Sequence, residues 1–316
     1  MKIAVRVAVS VIVLGLLLTL LPFDEIKRAV SGLSPLLWLG AVAGFLVGHR
    51  AGVEKWRSII NASRADLGSR QAVRCYAAGL FANLCLPSIV GGDVLRAALA
   101  SKATGRTEAV VIGAVADRLL DVMALAVLIS AGALAAPALL PGATSWGVAG
   151  IVVLGAAAGL VAVWVAGRRP LGSWPPRFRR RIGRTLVGLR RLRRYPRVTA
   201  RAFAISLGIQ AGFVLLNAAI GKAVGIDVPV IAWFLVWPLA KVAALLPISL
   251  GGLGLRDATL GALLVPLGVP MALGVVASLV WQSVLIAGGL IAGGAWLALG
   301  REGAGSVRQE LRAIRQ

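Results

Sequence analysis

The stretch Cys85-Leu86-Pro87-Ser88-Ile89-Val90-Gly91-Gly92-Asp93-Val94-Leu95-Arg96-Ala97 has a second copy in Leu245-Leu246-Pro247-Ile248-Ser249-Leu250-Gly251-Gly252-Leu253-Gly254-Leu255-Arg256-Asp257. At a constant offset of 160 residues, without a gap, the copies match at Leu86/Leu246, Pro87/Pro247, Gly91/Gly251, Gly92/Gly252, Leu95/Leu255, Arg96/Arg256 and Ala98/Ala258. Each copy lies in apolar sequence, where Pro and paired Gly interrupt a helix and a buried arginine is expensive. A helix breaker beside a charge, at matching points of two halves, is the pattern of a central site between two repeats in a membrane.

Working outward, composition agrees with that setting. Of 316 residues 59% are hydrophobic and 15% charged, and several apolar runs exceed the ~18 residues that argue for a membrane span. The expected class is an all-α polytopic membrane protein. The net charge of +22 does not point to nucleic acid, because the cations fall between apolar runs, as the positive-inside rule requires. Cys75, Cys85 and His49 are too few for a metal centre or a disulfide framework, and the cysteines read as small apolar packing residues. No metal or other cofactor is expected.

In chain order, a first span follows Lys2 and Arg6 and runs to Leu21, continuing into Pro22-Phe23-Asp24-Glu25 without a small-residue cleavage site. Residues 22–32 are charge-balanced and suit the outer side; a second span covers about Leu33 to Gly48. Residues 49–74 hold Arg50, Lys55, Arg57, Arg64, Arg70 and Arg74 against Glu54 and Asp66, with Val53, Trp56, Ile60 and Leu67 near helical spacing. That pattern predicts a helix lying on the membrane with its cations toward anionic lipid. The next apolar run, 75–92, is flanked by basic sequence on both sides, so a re-entrant hairpin near 75–108 keeps both flanks inside.

A third span, Ala109 to Ala136, carries Asp117, Arg118 and Asp121. Asp117 and Asp121 share a helix face, and Arg118 lies about 100° away. After the uncharged turn Pro137 to Ser145 comes a fourth span, about 146–166. Residues 168–201 then hold thirteen Arg and no acid, which makes the linker cytoplasmic. Phe178, Ile182, Leu186, Leu189 and Leu192 fit an interfacial helix; recruitment of anionic headgroups is the other reading of the same charge. A fifth span, 202–221, carries Gln210 and Asn217, and a second hairpin near 229–268 holds Lys241 and the second break. The last span, 271–299, has Gly288/Gly289 and Gly293/Gly294 for close packing and ends in a basic tail. The organisation expected is a single membrane domain, 1–316: first half 1–166, basic linker 167–201 and second half 202–316, with six full spans, two hairpins forming an inverted repeat, and both termini cytoplasmic.

Two arginines in hydrocarbon call for partners or an anionic ligand. Guanidinium offers a planar fork matched to phosphate, and amides at a Gly-Gly break add donors. Arg96, Arg256, Arg118 and Lys241, with Asn83, Asp93 and the amides of Gly91, Gly92, Gly251 and Gly252, are therefore candidates for binding a lipid headgroup. Asp117, Asp121 and Asp257 are candidates for coupling or structural ion pairs. The alternative is internal pairing: Arg118 with Asp117 or Asp121, Arg256 with Asp257, Arg96 with Asp93.

Asn83 through Pro87 and Gly91 through Arg96, then Asp117-Arg118-Leu119-Leu120-Asp121, then Pro247 through Gly251-Gly252-Leu253-Gly254-Leu255-Arg256-Asp257, resemble the lysylphosphatidylglycerol synthase transmembrane, flippase-like, family over nearly the whole chain. Asp117 and Asp257 stand where that pattern has Glu, and Ser249-Leu250 where a proline often precedes the Gly pair. The resemblance implies movement of a phospholipid or lipid-linked intermediate between leaflets, in the plasma (inner) membrane and without covalent chemistry. By it Asn83, Asp93, Arg96, Arg118, Asp121 and Arg256 become site candidates. The soluble acyltransferase domain of the two-domain synthases is not expected, so aminoacyl transfer is not predicted. The expected partners are lipid substrate and membrane lipid, with a homo-oligomer or a lipid-pathway enzyme as further possibilities. The alternative function is a membrane-embedded lipid-modifying enzyme, or a subunit presenting lipid to one. No P-loop is present, which argues against direct ATP drive.

Overall fold

The computed structural model describes residues 32–85, 91–135, 195–244 and 254–313, with side chains to Leu84 in the first stretch and to Gly300 in the last. The expected first and fourth spans, the turn after Pro137 and the linker up to 194 lie outside the described residues. So do both Pro-containing breaks, with Pro87, Pro247, Gly251 and Gly252, and the side chains of the basic tail.

Among the described residues the fold is all-helical, with eight α-helices and no strand: α1 Pro35–Ala62, α2 Ser69–Cys85, α3 Gly91–Thr104, α4 Thr107–Ala135, α5 Pro196–Ala223, α6 Val230–Ala244, α7 Leu255–Leu264 and α8 Met271–Ala313. A short 3₁₀ turn, Val265–Leu267, joins α7 toward α8. Proline opens both α1 and α5, where its missing N–H and preset φ are harmless. Three described helical stretches are long and apolar enough to cross a membrane: α1, α5 and Met271–Gly300 of α8. The protein is thus an all-α integral membrane protein. The hairpin helices α2, α3, α6 and α7 have 17, 14, 15 and 10 residues, each shorter than the ~20 that a spanning helix needs.

The 160-residue offset of the motif extends to whole elements. The starts of α1 and α5, α2 and α6, α3 and α7, α4 and α8 differ by 161, 161, 164 and 164 residues. Packing follows the same exchange. α2 packs on α3 as α6 does on α7, α3 on α4 as α7 on α8, and α1 on α4 as α5 on α8; across the halves, α2 packs on α8 as α6 does on α4. The helices α1 and α5 pair with each other, and they run antiparallel: Gly44 faces Leu216 and Gly48, one turn later, faces Phe213. Two equivalent helices that pair antiparallel are related by a two-fold axis across their length, so the halves point in opposite directions.

Glycine sets these approaches, because in lipid packing rather than water exclusion drives helices together. Gly288 lies against Phe45 of α1, Gly289 against Leu84 and Gly293 against Phe81 of α2, as their spacing predicts; Gly294 faces open space. The largest core joins Phe45, Phe213, Trp237, Leu260 and Trp281, and a second under the first hairpin joins Trp56, Ile60, Tyr76, Ala100 and Val110.

One expectation is overturned. Residues 49–62 are not an interfacial helix but the continuation of α1. Val53, Trp56, Ile60 and Leu67 are buried in the second core as a set, because the helical stripe read as facing acyl chains faces α2, α3 and α4. The turn after α1 places Arg64 and Asp66 at φ of 69° and 55°. Asn61 clamps it, accepting from the Leu67 N–H at 2.7 Å and donating to the Leu67 carbonyl at 3.0 Å, while Arg106 pairs with Asp66. The helix that leads into the first break, α2, begins at Ser69.

Candidate functional site

Around the first break, α2 and α3 touch at glycine. A Cβ at Gly79 would stand 2.7 Å from the Gly92 carbonyl oxygen, and a Cβ at Gly92 would overlap the Gly79 carbonyl oxygen. The Gly92 N–H donates to Asn83 Oδ1 at 3.0 Å. Asn83 therefore splices the hairpin rather than offering a free contact, and this Gly-Gly amide is already used. One turn along α3, Arg96 is buried between two rings, 5.0 Å from the Trp56 centroid and 4.9 Å from that of Tyr76. Its Nη2 pairs with Asp117 of α4 at 2.8 Å and with Asp93 at 3.2 Å.

The network continues on both sides. Arg118, its side chain 48% exposed, reaches Asp93 at 3.1 Å and Asp121 at 3.7 Å. From α1 the buried Lys55 ammonium meets Asp121 at 2.5 Å and Asp117 at 2.9 Å, the second contact pairing charges off the angle of a hydrogen bond. Ser206, on α5 in the other half, takes a hydrogen bond from Lys55 at 3.0 Å and donates to Asp121 at 2.8 Å. Three cations thus stand against three carboxylates. Burial of that kind is tolerable only when every charge is paired.

The second break is built differently. Gly254 has φ of 79°, a conformation that favours glycine, and its N–H donates to Asp257 Oδ2 at 2.9 Å, closing the start of α7. Arg256 pairs with Asp257 at 3.1 Å and finds neutral acceptors on α8, the Ser278 hydroxyl at 3.1 Å and Gln282 Oε1 at 3.0 Å, with Trp237 5.9 Å from its guanidinium. Ser278 donates in turn to Asp257 at 2.5 Å. Nearby, Lys241 of α6 donates to Gln210 Oε1 at 2.7 Å and lies 5.7 Å from the Phe213 ring. Among the described residues it has no carboxylate partner.

Rings join the two arginines. Tyr76, under Arg96, approaches His49 Nδ1 with its hydroxyl at 3.3 Å. His49 lies 5.5 Å from Phe213, Phe213 5.7 Å from Trp281, and Trp281 5.6 Å from Trp237, which sits beside Arg256. The strip crosses from one half to the other where α1 and α5 pair. A separate apolar groove of about 530 Å³, lined by Leu36, Leu37, Gly40, Ala41, Leu216 and Ile220, lies along the same helix pair but holds none of these charges.

The structure therefore brings Asn83, Gly92, Asp93, Arg96, Asp117, Arg118 and Asp121 together, with Gly91 opening α3, and separately pairs Arg256 with Asp257, while Lys241 stands on Gln210 of α5. Asp117 and Asp121 share the face turned to Lys55, with Arg118 off to the side, as their spacing predicts. Internal pairing holds for Arg96, Arg118 and Arg256 alike. Lys55 is the miss: assigned to the lipid surface with the other cations, it is 3% exposed and pairs with two carboxylates. Its position was a usable signal, since Gly52, Lys55 and Ile59 lie at helical spacing on one buried stripe. Ser206, Ser278 and Gln282 also escaped, being neutral residues in apolar runs with no pattern of their own. Among the described residues no group of three or more His, Cys, Asp or Glu is placed to hold a metal ion.

A family model described as "Lysylphosphatidylglycerol synthase TM region" matches residues 3–293. No curated protein and no solved structure matches the chain.

Proposed function

The chain belongs to the lysylphosphatidylglycerol synthase transmembrane-region family, and from that membership we propose that it moves a phospholipid or lipid-linked intermediate between the leaflets of the plasma membrane, without modifying it covalently. The observation that carries the reading is the antiparallel pairing of α1 with α5 between two short helical hairpins, each bearing an arginine at its break. Oppositely directed repeats supply two near-equivalent packings, one open to each side, and alternating access needs no more than exchange between them. In this reading six full spans leave both termini in the cytoplasm; the first hairpin enters from the cytoplasm and the second from outside. Headgroup phosphate is met by the cations near the breaks. Arg118, half exposed, and Lys241, free of a carboxylate, are the ones available in the described packing. Arg96 and Arg256 become available as their internal pairs exchange.

The test is leaflet transfer of labelled phospholipid in vesicles reconstituted with purified protein. Transfer above that of protein-free vesicles is expected, and Arg96→Lys and Arg256→Lys, which keep charge but lose the planar fork, should each reduce it. Transfer indistinguishable from empty vesicles across anionic, zwitterionic and lipid-linked substrates overturns the proposal. Recovery of the labelled lipid with altered mass would instead favour a lipid-modifying enzyme.

A further inference from the structure

We propose that the Lys55 ammonium occupies, as a tethered ion, the place of a monovalent cation between the two halves, so that the protein works without binding Na⁺ or K⁺ there and becomes a monovalent-cation binder when the amine is removed. This rests on the transporter reading only for its consequence, that lipid transfer needs no Na⁺ or K⁺ gradient; the site itself stands on geometry.

The ammonium meets Asp117 Oδ1 at 2.9 Å, Asp121 Oδ1 at 2.5 Å and Ser206 Oγ at 3.0 Å. Two carboxylate oxygens and a hydroxyl around one positive charge form an all-oxygen shell of the kind hard cations take. Lys55, Asp117 and Ser206 are all buried, and the shell draws on α1 and α4 of one half and on α5 of the other. The charges select valence. With Lys55 in place Arg96 and Arg118 complete the balance against Asp93, Asp117 and Asp121; without it the cluster carries one uncompensated negative charge, which a single monovalent cation cancels and a divalent one overshoots. Ser206 orients the shell from the opposite half, since it donates to the same Asp121 oxygen that Lys55 holds. A sliding of α5 against α4 therefore breaks the hydroxyl contact while the ammonium stays with its carboxylates. A diffusible ion in that place would be lost to water on each opening; a tethered one is not.

The experiment is thermal unfolding of purified full-length protein in detergent, at constant ionic strength, in choline chloride, NaCl, KCl or ethylammonium chloride. Wild type is expected to unfold at the same temperature in all four. Lys55→Ala should unfold lower in choline and recover by at least about 3 °C in NaCl, KCl or ethylammonium, in proportion to occupancy. Lys55→Met, which fills the space with an apolar chain, should be destabilised and not recover, and Lys55→Ala/Asp121→Asn, with its charge again balanced, should lose the salt response. A Lys55→Ala protein with no preference among the salts, or one that cannot be obtained folded in any of them, overturns the inference, as does a wild type that itself responds to Na⁺ or K⁺. A wild type that moves no lipid overturns the transporter reading instead, and the unfolding series still decides the cation site.

Discussion

Arg96 and Arg256 stand 160 residues apart at equivalent points of two hairpins, each beside an indole ring and an aspartate, yet the charge around them differs. Arg96 belongs to a balanced set of six charges drawn from three helices and supported by a serine from the opposite half. Arg256 leans on one acid, its own neighbour Asp257, and on neutral oxygens of Ser278 and Gln282. At the motif's 160-residue offset Asp117, Arg118 and Asp121 correspond to Ala277, Ser278 and Trp281, none of them charged. The described helices repeat and the charge does not. The repeat is therefore a mechanical device, two breaks on opposed helices, while the pairing of each arginine is a separate solution to the same desolvation problem. One consequence is that the second hairpin is left with Lys241, whose partner Gln210 is neutral.

That contrast predicts unequal responses to matched substitutions. Asp257→Asn should be the most damaging, because it leaves the buried Arg256 without a carboxylate among the described residues. A loss of about 3–5 kcal/mol is expected, read as a collapse of the monodisperse fraction on gel filtration. Asp117→Asn should cost about 1–3 kcal/mol, since Arg96 keeps Asp93 and Lys55 keeps Asp121. Equal losses in the two would break the comparison.

Truncating the arginines should keep that order. Arg96→Ala leaves Asp117 beside Lys55 and Asp93 beside Arg118, whereas Arg256→Ala leaves the fully buried Asp257 with a hydroxyl and one amide but no cation. Thermal unfolding should place Arg256→Ala below Arg96→Ala by about 1–3 kcal/mol. Lys241→Gln sharpens the functional side. With no carboxylate left alone, stability should shift by less than about 0.5 kcal/mol. Binding of anionic phospholipid, followed by native mass spectrometry, should weaken about tenfold, while unchanged binding would remove Lys241 from the site.

Helix contacts that carry the symmetry respond to size rather than charge. A Cβ at Gly132 would stand 2.6 Å from the Leu235 backbone nitrogen, forcing α4 from α6, so Gly132→Ala should lose about 1–3 kcal/mol. Gly294 faces open space, and Gly294→Ala should gain up to about 1 kcal/mol from helix propensity. Unfolding temperatures of opposite sign for the two would separate packing from propensity.

Much of this was legible along the chain. Asp117 and Asp121 four apart on an apolar helix announce a shared face, and Pro-Gly-Gly-Arg at two matching places announces two interrupted hairpins. The reading of 49–74 failed because an amphipathic helix against lipid and one against protein show the same stripe; which surface receives it depends on helices distant in sequence. Lys55 was lost with that error, although Gly52 and Ile59 mark its face as buried.

The membrane class, the two interrupted motifs and their 160-residue register are written along the chain, because apolar length, Pro and Gly act within a few residues of themselves. Packing alone brings α1 against α5, Arg96 to Asp117, and Lys55 to a serine 151 residues away. The physical reason is range: backbone preference is local, but a buried charge must be neutralised within a few ångströms, and only packing determines which side chains lie that close.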